Sequence, residues 1–279
     1  MNCTKAIIAV AGFGTRWLPL TKSIEKCMLP VGNRPVIDYI VDDCVAAGIQ
    51  DIYFVVGEQS AQIRSYYGEN EALYAHLEKK GKTKELEAVK KISQKARFHF
   101  IEQNPNLPYG TAVPVMIFEQ SVELSPDEQV LVIMGDQFVY NADGSSEVAR
   151  LLSEVELSKT TAGMGVVHVP REEVSKYGIV ELTHDHGRQF FKQIVEKPTP
   201  ETAPSTLNNL SLYVFDRDIL NCLQHIKPTN GEYYVTDALN IYVGEQGRQL
   251  AVVTTKGEYL DCGNVEGWLH ANQFVAKHS

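Results

Sequence analysis

The densest group of chemistry-bearing residues lies near the start of the chain, in Ala11-Gly12-Phe13-Gly14-Thr15-Arg16-Trp17-Leu18-Pro19-Leu20-Thr21-Lys22. Glycines at 12 and 14 let backbone N–H groups approach anionic oxygens. Taken alone, Gly-x-Gly is equally compatible with a plain turn. The residues around it add charge: the stretch 12–34 holds Arg16, Lys22, Lys26 and Arg34 against one acid, Glu25. A local excess of three positive charges beside a glycine loop suits a triphosphate, because arginine grips phosphate as a fork and lysine as a point charge. Trp17 stands where a dinucleotide fingerprint requires its third glycine, and no Walker phosphate loop occurs. A nicotinamide-dependent dehydrogenase and a P-loop enzyme are therefore excluded.

Carboxylates supply the second kind of chemistry. Asp136 follows the apolar run 130–134 and Gly135. A carboxylate at a strand's carboxyl end, after a glycine, is placed either for Mg²⁺ or as a turn or cap residue. Glu196-Lys197-Pro198 closes another strand and reads as an anion contact or as an exposed charged strand end. His184 and His186 fall in a polar turn with Gly187 and are expected in solvent. No GxSxG or HExxH is present, so these local signatures of serine hydrolysis and zinc proteolysis are absent.

These residues need a scaffold that gathers strand ends. Short apolar runs at 5–11, 51–56, 98–102, 129–134 and 162–168 alternate with helical patterns at 36–47, 112–121 and 146–157. Strand–helix alternation with nearly continuous apolar strands predicts an α/β fold, Rossmann-like, with a mixed, mostly parallel central sheet and helices on both faces. Residues 69–96 are rich in Glu and Lys, with Leu73, Leu77, Leu86, Val89 and Ile92 at helical spacing around Gly81. They read as an inserted helical hairpin, either a solvated cover or a subunit contact. The second half changes to strands at 177–182, 190–197, 207–215, 250–254 and 258–260, with helices near 216–223, 235–243 and 265–276.

The chain has 279 residues, 26 Lys plus Arg and 35 Asp plus Glu, and a formal charge of −9. That balance excludes a general nucleic-acid-polymer binder, which shows a basic face. No apolar run approaches the roughly 20 residues of a membrane span. The apolar start at 6–11 is short and followed closely by Arg16, so it reads as a buried strand rather than a signal peptide. Cys3, Cys27, Cys44, Cys222 and Cys262 are odd in number and lack a CxxC, which predicts reduced thiols in a cytoplasmic protein.

The segment 10–19, followed by Lys22 and Lys26-Cys27-Met28-Leu29-Pro30, resembles the signature of the sugar-1-phosphate nucleotidylyltransferases. Ala11 before Gly12 and Leu-Pro-x-Thr-Lys after Arg16 resemble the bacterial branch that uses UTP and glucose 1-phosphate. The resemblance extends through the insertion at 69–96, Gln103, Gly110, Gly135-Asp136, Tyr177-Gly178, Glu196-Lys197-Pro198 and Asp261-Cys262-Gly263. It implies the nucleotide-diphospho-sugar transferase fold in one domain. Residues 1–168 would mainly bind nucleotide, and 169–279 would mainly bind sugar and carry the last helices.

By resemblance, UMP passes from UTP to α-D-glucose 1-phosphate, releasing pyrophosphate, without a covalent intermediate. Ala11, Gly12, Gly14, Thr15, Arg16, Lys26, Gln103 and Gly110 would bind nucleotide, with Gln103 reading the uracil edge. Gly178, Glu196 and Lys197 would bind the sugar phosphate, and Asp136 and Asp261 would hold Mg²⁺. Arg16, Lys26, Asp136 and Lys197 would carry catalysis, in a homo-oligomer of two or four chains. Cys262 reads as a packing residue. The chain departs from the family at Glu25, where proline is common, at Gln137, where a second acid is common, and at Ser211, where glycine is common. Asn208 and Asn209 add polarity near the expected sugar pocket. These changes leave open dTTP or another hexose 1-phosphate as substrate. A reading of another class is a non-catalytic sugar-nucleotide-binding regulator.

Overall fold

The computed structural model describes residues 2–58, 60–104, 106 and 108–278. The chain opens with β1 (Cys3–Ala9), the short pair β2 (Pro30–Val31) and β3 (Arg34–Pro35), helix α1 (Val36–Ala46) and β4 (Asp51–Val56). Next come α2 (Ala61–Tyr67), α3 (Glu71–Lys79), α4 (Thr83–Ser93), β5 (Arg97–Glu102), α5 (Val113–Ser121), β6 (Gln129–Met134) and β7 (Gln137–Tyr140). Then follow α6 (Glu147–Leu157), β8 (Gly163–His168), β9 (Gly178–Asp185), β10 (Arg188–Glu196) and β11 (Leu207–Phe215). The chain closes with α7 (Arg217–Cys222), α8 (Val235–Asn240), β12 (Ala251–Thr254), β13 (Glu258–Asp261) and α9 (Val265–His278).

Nine strands form one sheet in the order β5-β4-β1-β6-β11-β8-β12-β10-β9. The four at the first edge run parallel, whereas β11 pairs antiparallel with both β6 and β8. The expected mixed α/β sheet is present, and its parallel character is concentrated in the first half. β11 also touches β9 at Asn208 opposite Ile179, which curls the second half back on itself. Both faces are covered because successive residues feed opposite cores. Ala6 and Ile8 of β1 point into one cluster with α1 and α6, and Ile7 points into the other with α5 and α7.

The insertion is a helical hairpin, α3 and α4, turning at Gly81 with φ +64°. The hairpin in the second half is tighter than expected. Its strands run on to Asp185 and from Arg188, leaving only His186 and Gly187, both with positive φ, as the turn. That is the two-residue geometry matching the natural twist of paired strands. The β7 strand and the α2 helix were not legible as elements, and β7 pairs antiparallel with β13 in a separate two-stranded ribbon.

Candidate active site

The carboxyl ends of adjacent parallel strands are where open α/β sheets bind ligands. Here β1 runs into the glycine loop, β4 into Gly57, β5 into Gln103 and β6 into Gly135-Asp136. The first three ends line a cleft of about 450 Å³ that includes Ala11, Gly12, Lys22, Lys26, Gln103 and Tyr109. Its dimensions fall in the range of small-molecule sites. The Gln103 amide offers both a donor and an acceptor at this wall, as recognition of a pyrimidine edge requires. Phe13, 68% exposed, stands at the rim beside Gly12.

The glycine loop is held by few contacts. Gly14 has φ +62°, and its carbonyl accepts from Thr21 Oγ1 at 2.9 Å. Thr15 begins a short turn, Thr15–Trp17, that directs Arg16 and buries Trp17. The Trp17 indole N–H donates to the Cys262 carbonyl at 3.2 Å and packs edge-on against Trp268. This anchor places the Arg16 guanidinium against the segment after β13. A Cβ at Gly263 would stand 3.4 Å from Arg16 Nη2.

Asp136 and Asp261 meet through the β7–β13 ribbon. Asp261 lies opposite Gln137, and the Cys262 N–H donates to the Asp136 carbonyl at 3.0 Å. Residues 125 positions apart in sequence are thus held by four residues of strand on each side. Lys26 Nζ donates to Asp136 Oδ2 at 2.5 Å, with both side chains mostly covered. Gly263 N–H donates to Asp261 Oδ1 at 2.7 Å. Burial pushes the Asp261 carboxyl above its ordinary value. The Gly263 N–H opposes that, the nearby Asp136 charge adds to it, and Arg16 and Lys26 pull it back. Burial also pushes the Cys262 thiol up to about 12, so at neutral pH it is a packing thiol and not a nucleophile.

Two nearby carboxylates with free oxygens suit a hard divalent ion such as Mg²⁺. Among the described residues no cluster of three or more His, Cys, Asp or Glu is placed to hold a metal. The pair alone is only part of a six-oxygen shell, the remainder being suited to phosphate oxygens and water.

The second group lies at the β9–β10 end. Gly178 pairs with Glu196, and a Cβ at Gly178 would meet Glu196 Oε2 at 3.0 Å. The Glu196 carboxylate therefore lies over the glycine. Lys197 has φ +46°, an uncommon conformation for lysine, and its N–H donates to the Tyr177 carbonyl at 2.9 Å. Non-glycine residues held this way concentrate at functional sites. Burial raises the Tyr177 phenol, and the nearby Asp261 charge adds to that rise. That proximity joins the two groups.

Gly110 is placed differently from the rest. It has φ +130°, and its Cα packs directly on the backbone of Tyr233. Its neighbour Tyr109 lines the cleft. Arg34 also departs from the expected phosphate-facing cluster, because its guanidinium pairs with Asp38 at 3.0 Å and Asp42 at 2.7 Å on α1. Glu25 does not point freely into the cleft. Its carboxylate accepts from Gln62 N–H at 2.6 Å while its own N–H donates to Gln62 Oε1 at 2.8 Å, tying the lysine loop to the start of α2.

A family profile described as nucleotidyl transferase matches residues 5–278. The UTP–glucose-1-phosphate uridylyltransferase of Bacillus subtilis (strain 168) is 38% identical over 237 residues, 84% of this chain and 78% of that protein. A solved UDP-glucose pyrophosphorylase complexed with UDP-glucose superimposes with TM-score 0.85 and 29% identity, covering 100% of each chain. A UTP-bound enzyme from Acinetobacter baumannii gives TM-score 0.85 and 30% identity over 100% of this chain and 95% of that one. The likeness runs from the glycine loop past the β7–β13 ribbon, and the chain belongs to the nucleotidyl transferase family.

Proposed function

We propose that the protein transfers UMP from UTP to α-D-glucose 1-phosphate, giving UDP-glucose and pyrophosphate. The observation that carries this reading is the convergence of Arg16, Lys26, Asp136 and Asp261 beside the Gln103 cleft. A phosphate oxygen of the sugar phosphate forms the new bond to the α-phosphorus of UTP. The bond from that phosphorus to the α–β bridging oxygen breaks, and pyrophosphate leaves with its electrons. The reaction brings anions together, so the protein's task is alignment and charge stabilisation, with no protein nucleophile.

Ala11, Gly12, Gly14 and Thr15 hold the loop that meets the phosphates, Gln103 reads the base, and Gly110 sets the Tyr109 wall. Lys26 and Arg16 stabilise charge as the pyrophosphate departs. Lys197 holds the sugar phosphate, Glu196 accepts from sugar hydroxyls, and Gly178 allows close backbone approach. Asp136 and Asp261 hold Mg²⁺, which supplies charge neutralisation to the phosphates. In the free chain Lys26 occupies Asp136. Substrate phosphates give that ammonium a second anion.

In this reading residues 1–168 and 169–279 work as one domain, the first for nucleotide and the second for sugar. The five buried free thiols support a cytoplasmic setting. Among the described residues, no helix is long and apolar enough to cross a membrane. A homo-oligomer of two or four chains is tested by light scattering. The activity is tested by pyrophosphate release with UTP and dTTP against glucose 1-phosphate and galactose 1-phosphate, with and without Mg²⁺. UDP-glucose formation that requires Mg²⁺ is expected. Binding of UDP-glucose without any pyrophosphate release would refute the reading.

A further inference from the structure

Gln137 and Asn208 share one tyrosine hydroxyl, and Ser211 lies in the strand bulge that Gln137 also reaches. Gln137 immediately follows Asp136. Its Oε1 accepts from the Tyr259 hydroxyl at 2.6 Å, and its Nε2 donates to the Leu210 carbonyl. Tyr259 stands two residues before Asp261 on the same face of β13. The buried Asn208 side chain reaches the same tyrosine hydroxyl.

Leu210 and Ser211 form a bulge in β11. The pairing with β8 breaks between Asn209 and Leu212, and Ser211 takes φ +51°. Asn209 stabilises the bulge by accepting the Ser211 N–H at 3.0 Å and donating to the Tyr213 hydroxyl at 2.6 Å. On one side of the bulge, Leu212 pairs with Ile133 of β6, the strand leading to Asp136. On the other, Asn208 pairs with Ile179, next to Gly178 of the sugar-phosphate group. The bulge therefore lies in the strand that connects the two halves of the site.

A cavity of about 30 Å³ adjoins Gln137, Tyr259, Leu210 and Leu212, leaving the side chains unfilled space beside them. Polar bonds fix position where close packing does not. The Gln137 amide is suited to this because it accepts on one side and donates on the other. A carboxylate at 137, acceptor only when ionised, cannot donate to the Leu210 carbonyl.

We propose that Gln137 is a positioning residue that ties the Asp136–Asp261 ribbon to the β11 bulge and so sets the sugar-phosphate side of the site. This rests on the uridylyltransferase reading above. Its consequence is selective. Breaking the bridge frees the bulge on the sugar side, whereas the glycine-loop and uracil contacts lie across the site on the ends of β1, β4 and β5.

The test uses the full-length protein and two substitutions, Gln137→Met, which removes both bonds at similar volume, and Tyr259→Phe, which removes only the hydroxyl. Steady-state kinetics are measured with each substrate varied separately, and folding is checked by thermal unfolding. Gln137→Met should raise the KM for glucose 1-phosphate about tenfold, the scale of a buried polar group losing its partner. The KM for UTP should stay within about twofold, and Tyr259→Phe should shift the sugar KM in the same direction by less. If Gln137→Met does not fold, Tyr259→Phe decides alone. Unchanged sugar KM, equal shifts in both KM values, or a fall in kcat with both KM values unchanged overturns the proposal. Failure of the unsubstituted protein to form UDP-glucose sinks the activity itself, which separates the two failures.

Discussion

Substituting Gly110 by alanine tests the link between backbone packing and the nucleotide cleft. At φ +130° the residue sits where essentially only glycine is at ease. A Cβ there would overlap the backbone N and O of Tyr233 and lie 2.7 Å from its carbonyl carbon, so a flexible side chain cannot yield to relieve it. Two backbone bonds clamp the same place: Tyr233 N–H donates to the Tyr109 carbonyl at 2.8 Å, and Ala112 N–H donates to the Tyr233 carbonyl at 3.0 Å. Backbone strain of about 1–3 kcal/mol and the loss of one or two bonds give a total of about 2–5 kcal/mol. At roughly 2–4 °C per kcal/mol for a chain of this class, Tm should fall by about 4–20 °C. Because Tyr109 lines the cleft and Gly110 is what seats it, the KM for UTP should rise more than that for glucose 1-phosphate. Differential scanning calorimetry and pyrophosphate-release kinetics read both effects. A Gly110→Ala protein with Tm within about 2 °C of the parent and an unaltered KM for UTP would refute the reasoning.

Lys26→Met removes the ammonium that pairs with Asp136, where the two side chains are 19% and 22% exposed. kcat/KM for UTP should fall about 100-fold or more, the scale of one lost transition-state donor, and a fall below threefold in pyrophosphate release would count against its role. Trp17→Phe keeps an aromatic ring beside Trp268 but withdraws the indole donor from the Cys262 carbonyl. Urea unfolding should show a loss of about 1–2 kcal/mol, and an unchanged midpoint would contradict the anchor. Asp43 is held up to about 6, chiefly by burial, against Ser146 and Val148 donors that favour its ionised form. A carboxyl raised in the folded state costs stability above its folded pKa, and the cost disappears as pH falls from about 6 toward the ordinary value of 3.8. Asp43→Asn should therefore raise the unfolding free energy over the parent at pH 7–8 by up to about 3 kcal/mol, read by urea unfolding, with the advantage shrinking by pH 4.5. An advantage that is constant with pH would exclude this assignment.

The strand ends were legible because apolar runs stop abruptly at Gly or Asp, and the insertion was legible from leucines at helical spacing around Gly81. The meeting of Asp136 and Asp261 was not readable from local pattern. It depends on the β7–β13 ribbon, whose four-residue strands are too short to show a period and are set by pairing 118 to 124 positions away. Nothing in a lone Gln137 shows that its amide spans two elements, since its partners Leu210 and Tyr259 come from distant strands. In the sequence Trp17 breaks a dinucleotide fingerprint and belongs to the 10–19 signature, but neither shows what the side chain holds. Its structural task as an indole donor needed the Cys262 carbonyl to be in view.

Arg34 shows where a charge count misleads. It raised the local excess to three, yet its partners Asp38 and Asp42 follow at helical spacing, and that spacing was the available signal. Without Arg34, the cleft wall presents Lys22 and Lys26 together with Glu25 and Glu58, a balanced set, and Arg16 stands by the ribbon. Side chains so balanced cannot by themselves offset a triphosphate and a sugar phosphate brought together. The two carboxylates that look unhelpful for binding anions then acquire a purpose. In the proposed mechanism Asp136 would give up its Lys26 contact to hold a divalent ion together with Asp261, so that positive charge would arrive with the substrate instead of being built permanently into the wall. The chain's overall −9 and an anionic substrate pair are compatible for that reason.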